Sequence, residues 1–319
     1  MFNHRSTAEE VTQDLDLTGL NVVITGVNSG LGFETMRVLA KRGAHIIALA
    51  RTLEKATLAC AKIDGETTPL ACELSDMDSV ANCAQQIRDL NINVDRLICN
   101  AGVMALPTLQ VKNNLEMQFL CNHMGHFLLI KLLTECLVDA GQARVVMLSS
   151  AAHHYTVKGG INFDNLDGKR GYHDWRFYGQ AKLANLLTAL VLNDKLVDSG
   201  VTVNAVHPGV INTNLGRNLT GVLGRLMALP GVTKIMQWGG AKNIAQGAAT
   251  TCYAATHPSL TGVGGKYFSD CHVSRTSRHG QNEALAEKLW QYSNNYLSDY
   301  LSKKTNSKKK TRKKVPIQA

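Results

Sequence analysis

The stretch Asn21-Val-Val-Ile-Thr-Gly-Val-Asn-Ser-Gly-Leu-Gly32 decides how the rest of the chain is read. Its first half is apolar at successive positions, as a strand covered on both faces must be. Three glycines then lead into a helical pattern over 31–42. Glycines at such a turn permit a tight bend, a close backbone approach to a pyrophosphate, and close packing of helix on strand. The helix start adds free N–H groups and the positive end of a dipole. A strand, glycine loop and helix in this order predict a dinucleotide phosphate cradle made by Gly26, Asn28, Ser29, Gly30, Leu31 and Gly32.

Working outward, short β-branched runs alternate with longer helical patterns. Strands are predicted at 21–25, 45–49, 68–72, 96–99, 144–148, 202–206 and 265–268. Helices are predicted at about 31–42, 53–62, 77–89, 115–138, 175–198 and 242–256. Such alternation implies right-handed crossovers and a parallel sheet with helices on both faces. The fold class is therefore α/β, a doubly wound parallel sheet of about seven strands in a single domain. Residues 1–19 read as a lead segment, 20–275 as the domain, 276–301 as a C-terminal helix and 302–319 as a basic disordered tail.

The 319 residues are 45% hydrophobic, enough for a large core, and 27 glycines against 6 prolines exclude collagen-like or proline-rich chains. No run of 18 apolar residues predicts a membrane helix, and the first nineteen residues lack the apolar core of a signal peptide. Of the formal charge of +9, eight units come from Lys303 to Lys314, which contain no acid, so the remainder carries +1. Such a tail cannot bury itself; it offers contact to an anionic membrane or other polyanion, or simply aids solubility. A near-neutral body without aromatic–basic interleaving excludes nucleic-acid recognition by the fold. The eight cysteines include no Cys-x-x-Cys pair, which points to a reducing, cytoplasmic setting without a disulfide framework. His123 and His126, or the adjacent His153 and His154, have no carboxylate or cysteine at matching spacing, so no metal is expected.

Chemistry collects at the predicted carboxyl ends of the strands, where open α/β sheets place ligands. The second strand ends at Ala50-Arg51 with no acid until Glu54; an acid would accept from a ribose 2′-hydroxyl, whereas Arg51 can fork onto a 2′-phosphate. That favours NADP(H), with NAD(H) as the alternative. Tyr178 and Lys182 are i, i+4 on one helical face, and an ammonium beside a phenol is expected to lower the phenol pKa for proton transfer. Ser149-Ser150 follows one strand, Asn100-Ala-Gly102 another, and His207-Pro208-Gly209, with Thr213, a third. From Ser199 to Ser269 there are 71 residues without Asp or Glu. Within them, about 214–240 reads as an apolar substrate lid, or else as an ordinary amphipathic helix pair packed on the core.

The chain resembles the short-chain dehydrogenase/reductase superfamily, and within it the branch of retinol dehydrogenases and WW-domain oxidoreductases. The resemblance rests on Ser6-Thr-Ala-Glu-Glu-Val, Leu17-Thr-Gly, Thr25-Gly-Val-Asn-Ser-Gly-Leu-Gly32, Asn122-His-Met-Gly-His-Phe127, Ser149-Ser-Ala-Ala-His153, Tyr178-Gly-Gln-Ala-Lys-Leu-Ala-Asn185, His207-Pro-Gly209 and Gly264-Gly-Lys-Tyr-Phe268. It implies a Rossmann-type fold and a catalytic tetrad of Asn122, Ser150, Tyr178 and Lys182, with Ser149 as runner-up to Ser150. It also implies that Asn100, Ala101 and Gly102 line the adenosine ribose, that Glu73 and Leu74 meet the adenine, and that Pro208, Gly209 and Thr213 hold the carboxamide. Lys182 would also hold the nicotinamide ribose beside Tyr178, and Asn122 would anchor a water that relays protons to Lys182. Glu73 stands where the family commonly has Asp, and Cys99 where it commonly has Asn.

The expected activity is hydride transfer between NADP(H) and an apolar alcohol, aldehyde or ketone. A cofactor-binding regulator or scaffold with little turnover is the rival class, although all four tetrad positions are filled. The resemblance further implies homodimers or homotetramers through the two long helices.

Overall fold

The structure is a computed structural model that describes residues 2–211 and 241–302. Its backbone is set by β1 (Asn21–Thr25), α1 (Gly30–Lys41), β2 (His45–Ala50), α2 (Leu53–Cys60), β3 (Thr67–Ala71), α3 (Met77–Asp89) and β4 (Arg96–Cys99). A two-residue hairpin, β5 (Val111–Lys112) and β6 (Leu115–Glu116), precedes α4 (Met117–Phe119) and α5 (Gly125–Asp139). There follow β7 (Arg144–Leu148), α6 (Asp174–Leu196), β8 (Thr202–His207), α7 (Ile244–Thr256), β9 (Tyr267–Ser269), β10 (His272–Val273) and α8 (Glu283–Tyr296).

Among the described residues, eight strands form one sheet in the order β10-β9-β8-β7-β4-β1-β2-β3, parallel except for β10. The expectation of about seven strands is corrected by β10. Asp270 and Cys271 adopt positive φ and fold the chain back, so that two residues pair antiparallel on the edge. Two residues carry no periodicity, and nothing in the sequence marks them.

Strand parity sorts the core into two layers. Val23, Ile47, Leu97 and Val145 face one layer with α3, α5 and α6, whereas Val22, Ile24, Ile46 and Val146 face the other with α1 and α7. Helix starts obey ordinary capping: the Asp76 carboxylate accepts from the N–H groups of Asp78 and Ser79, and Thr52 accepts from Lys55. The lead segment docks on the second layer, with Ala8 buried and Glu9 paired to Arg37 and Lys41 at 2.8 Å each. α8 packs on α6, and Trp290 meets Phe127 of α5 edge-on at 5.0 Å.

One predicted helix is broken. The pattern over 115–138 becomes β6, the single turn α4, a π-turn over Leu120–Met124, and then α5. The Glu116 carboxylate accepts from Phe119 N–H at 3.0 Å and starts the helical part. The π-turn inserts one extra residue per turn, a feature concentrated at functional sites, and it carries Asn122.

Candidate active site

The carboxyl ends of β1, β2, β4, β7 and β8 open onto one cavity of about 370 Å³. Gly26 turns there with φ +76°, a left-handed conformation that favours glycine. At Gly32 a Cβ would run into the Gly26 carbonyl and the Asn100 amide, so glycine is what allows α1 to sit against β4. Ser29 is the N-cap of α1 but its side chain makes no capping bond, which leaves the first-turn N–H groups facing the loop. A glycine cradle beside an uncapped helix start fits the phosphates of a dinucleotide.

The wall continues through Arg51 at the end of β2, Glu73 and Leu74 after β3, and Asn100, Ala101 and Gly102 after β4. Arg51 is exposed at the rim. The Glu73 Oε1 accepts from both the N–H and hydroxyl of Ser75 at 3.0 Å, so the longer acid curls onto its own turn. Asn100 donates from Nδ2 to the Thr25 carbonyl at 2.8 Å.

On the other side stand Tyr178 and Lys182, both buried one turn apart on α6. The Lys182 ammonium lies 5.6 Å from the Tyr178 ring centre and donates to the Leu148 carbonyl at 3.0 Å. Burial pushes the Tyr178 phenol up to about 12, against a downward pull from the Ser150 hydroxyl hydrogen-bonded to it. Burial likewise pushes Lys182 down to about 8, opposed by the Cys121 thiol. The phenol thus stands above its ordinary value rather than below it as expected, because desolvation is the leading cause at both groups.

The two serines have different duties. Ser149 donates its hydroxyl to the Lys182 carbonyl at 2.8 Å, which commits it to holding α6 on β7. Ser150 bonds Tyr178 and caps the following turn by accepting from Ala152 N–H at 3.1 Å. Asn122 is fully buried and clamps Val103 on both sides, accepting from its N–H and donating to its carbonyl at 2.8 Å each.

Fourteen of the predicted positions form the cavity wall, among them Pro208 at its far end. Asn122 and Ser150 stand behind the wall, each touching a residue on it. Gly30, at φ +60°, turns the loop into the helix, and Gly209, at φ +96°, lies against the Lys242 stem. Thr213 and the predicted lid lie outside the described residues, as does the tail from Lys303 onward. The sequence reading missed Thr25, Cys72, Val103, Met104 and Cys121, which also line the cavity. Thr25 was findable as the last strand residue before the loop; the others carry no local signal.

A sequence profile described as short chain dehydrogenase matches residues 20–221. The chain belongs to that family. It is 42% identical over 304 residues to short-chain dehydrogenase TIC 32 B, chloroplastic, of Brassica napus, covering 92% of this chain and 93% of that protein. It is 38% identical over 283 residues to human retinol dehydrogenase 13, covering 87% and 84%. To the human WW domain-containing oxidoreductase it is 36% identical over 310 residues, covering 93% of this chain and 73% of that one. An uncharacterized protein from Mycobacterium paratuberculosis, solved by crystallography, superposes with a TM-score of 0.71 at 30% identity, covering 90% of this chain and 97% of that one. Membership makes the short-chain dehydrogenase an oxidoreductase that acts on CH–OH groups with a nicotinamide dinucleotide. No helix among the described residues is long and apolar enough to cross a membrane.

Proposed function

We propose that this short-chain dehydrogenase interconverts an apolar alcohol with its aldehyde or ketone, using NADP(H) in preference to NAD(H) and Tyr178 as the acid/base. The observation that carries the reading is the Ser150–Tyr178–Lys182 arrangement: a phenol hydrogen-bonded to a serine, with an ammonium one turn away, beside a dinucleotide cradle.

The cradle residues Gly26 to Gly32 would hold the pyrophosphate, Arg51 the 2′-phosphate, and Asn100 to Gly102 the adenosine ribose. When bound, the nicotinamide supplies or accepts the hydride. Ser150 orients the substrate oxygen by hydrogen bonding, with its own position fixed by Ala152 N–H. Tyr178 holds the proton that passes to that oxygen in reduction and takes it back in oxidation; such positioned proton transfer contributes about 10²–10⁴ in rate. Lys182, tethered to the Leu148 carbonyl, places a positive charge next to the phenol. Asn122 fixes Val103 at the cavity wall through its amide, and in the family's pattern it would anchor a water in the relay to Lys182. Glu73, curled onto Ser75, leaves adenine contact to its second carboxylate oxygen and to Leu74.

The acid-free segment near 214–240 supports an apolar substrate. Residues 302–319 are read as a basic tail for anionic surfaces, and the domain as spanning 20–275. Subunit contact through α5 and α6 would have to accommodate α8, which lies on both.

Titration with NADPH and NADH, followed by turnover of a panel of apolar aldehydes and ketones, tests the reading. Tyr178→Phe is expected to bind NADPH normally and to lose turnover. A Tyr178→Phe enzyme that keeps more than about a tenth of the rate refutes Tyr178 as the acid/base, and NADPH binding without turnover of any panel member favours the regulatory class.

A further inference from the structure

The motif Asn122-His-Met-Gly-His126 contains a histidine that the mechanism above does not use. His126 is fully buried, four residues after Asn122 on the turn that opens α5. Its Nδ1 lies 2.8 Å from the Asn122 carbonyl oxygen, and its Nε2 lies 2.8 Å from the Thr25 hydroxyl.

Donor and acceptor counting assigns every proton. A carbonyl only accepts, so Nδ1 must carry the hydrogen. Burial, with the nearby Lys182 charge adding to it, keeps the ring neutral and holds its pKa down to about 4, so Nε2 is a bare acceptor. Thr25 Oγ1 already accepts from the N–H groups of Asn100 at 2.9 Å and Ala101 at 3.0 Å. Its one proton has Nε2 at 2.8 Å or the Ile98 carbonyl at 3.5 Å, and the shorter contact takes it.

The bonds close a ring. Thr25 holds Ala101; the chain runs from Ala101 through Gly102 to Val103; Val103 is clamped by the Asn122 amide; the Asn122 carbonyl takes the His126 proton; His126 returns to Thr25. The ring joins the last residue before the glycine loop, the wall after β4 and the π-turn that carries Asn122.

We propose that His126 is a positioning residue that fastens the Asn122 turn to the cofactor wall, through donation to the Asn122 carbonyl and acceptance from the Thr25 hydroxyl. His126 is not among the residues lining the cavity, and its neighbour His123 serves a different contact, to Ser293 of α8 at 3.0 Å. The effect on catalysis rests on the function proposed above; the ring itself does not.

Two measurements decide it. In ¹⁵N-histidine-labelled protein, long-range proton–nitrogen correlation reads the tautomer, with His126→Asn supplying the assignment. The expected signal is a neutral ring with hydrogen on Nδ1, unchanged between pH 7 and pH 5. A hydrogen on Nε2, or protonation near the free value of about 6.5, overturns the ring. The second measurement compares His126→Phe, which loses both bonds, with His126→Asn, whose short amide reaches the Asn122 carbonyl but not Thr25. With NADPH and decanal as probes, Phe is expected to weaken NADPH binding and to lower kcat, each about tenfold, the worth of one buried hydrogen bond. Asn is expected to restore kcat while leaving NADPH binding weak. Identical behaviour of the two variants, or wild-type behaviour of Phe, overturns the positioning role. A wild-type enzyme that binds no NADPH refutes the function proposed above while the tautomer still decides the ring.

Discussion

The order in which Tyr178 and Lys182 titrate makes a strong demand on the enzyme. With the phenol at about 12 and the ammonium at about 8, lysine releases the first proton of the pair as pH rises. The singly deprotonated pair then has two tautomers, phenol with amine and phenolate with ammonium. Their ratio is set by the difference of about four units, so phenolate–ammonium makes up about one part in ten thousand at any pH. Carbonyl reduction uses phenol beside ammonium, the doubly protonated pair. Alcohol oxidation uses phenolate beside ammonium, the minor tautomer.

It follows that kcat/KM for oxidation climbs about tenfold per pH unit to about 8 and then levels, although no group has yet reached the phenol's own value. Reduction is level up to the same point and falls about tenfold per unit above it. The two profiles mirror each other about one break. Lys182→Met removes the shared proton, so its oxidation rate should be low at pH 7 and still climbing at pH 10, toward the phenol near 12. The assay is initial-rate absorbance at 340 nm in both directions from pH 6 to pH 10, on wild type and Lys182→Met. A wild-type oxidation profile that breaks below pH 7 would show that lysine lowers the phenol directly, and one that rises log-linearly past pH 9.5 would show that burial does not lower Lys182; either result refutes this order of titration.

Other residues give sharper local tests. Arg51→Asp is expected to raise the NADPH Kd about tenfold or more while sparing NADH, the low end for a charge-assisted bond at an exposed rim; an unchanged preference removes Arg51 from cofactor choice. Ser149→Ala should cost about 0.5–1.5 kcal/mol of stability by losing its added hydrogen bond to the Lys182 carbonyl, with little loss of kcat. Ser150→Ala should instead lower kcat at least about a hundredfold, with a stability loss of about 1 kcal/mol from the cap on Ala152 N–H; if Ser149→Ala loses the rate and Ser150→Ala keeps it, the serine assignment is wrong. Burial holds His123 and His126 neutral, with pKa values down to about 3 and about 4. The unfolded chain therefore takes up protons first as pH falls below about 6.5, and stability is lost from there down to about 4. Each ring gives about 1.4 kcal/mol per unit, so about 4 kcal/mol should go between pH 7 and pH 5. Equal urea midpoints at the two pH values would contradict burial of these rings as neutral groups.

What the sequence could show depended on whether a requirement was local. The glycine loop was legible because Gly26 and Gly32 answer demands of dihedral and distance within a dozen residues, and those demands exclude other side chains. The Tyr178–Lys182 pair was legible as a spacing, yet the sign of its pKa shifts was not, because desolvation is set by the whole fold closing over α6. The choice between Ser149 and Ser150 turned on which hydroxyl meets the Lys182 carbonyl, a contact across 33 residues. The π-turn is the sharpest case. Its Leu120–Met124 text is as helical as its neighbours, and the register gains one residue because Asn122 must reach Val103 while its carbonyl meets His126. Those partners come from the loop after β4 and from the first turn of α5, so the break is a consequence of tertiary contacts. A local pattern could predict a helix there, but only the assembled site explains why the helix is interrupted at the residue that the chemistry needs.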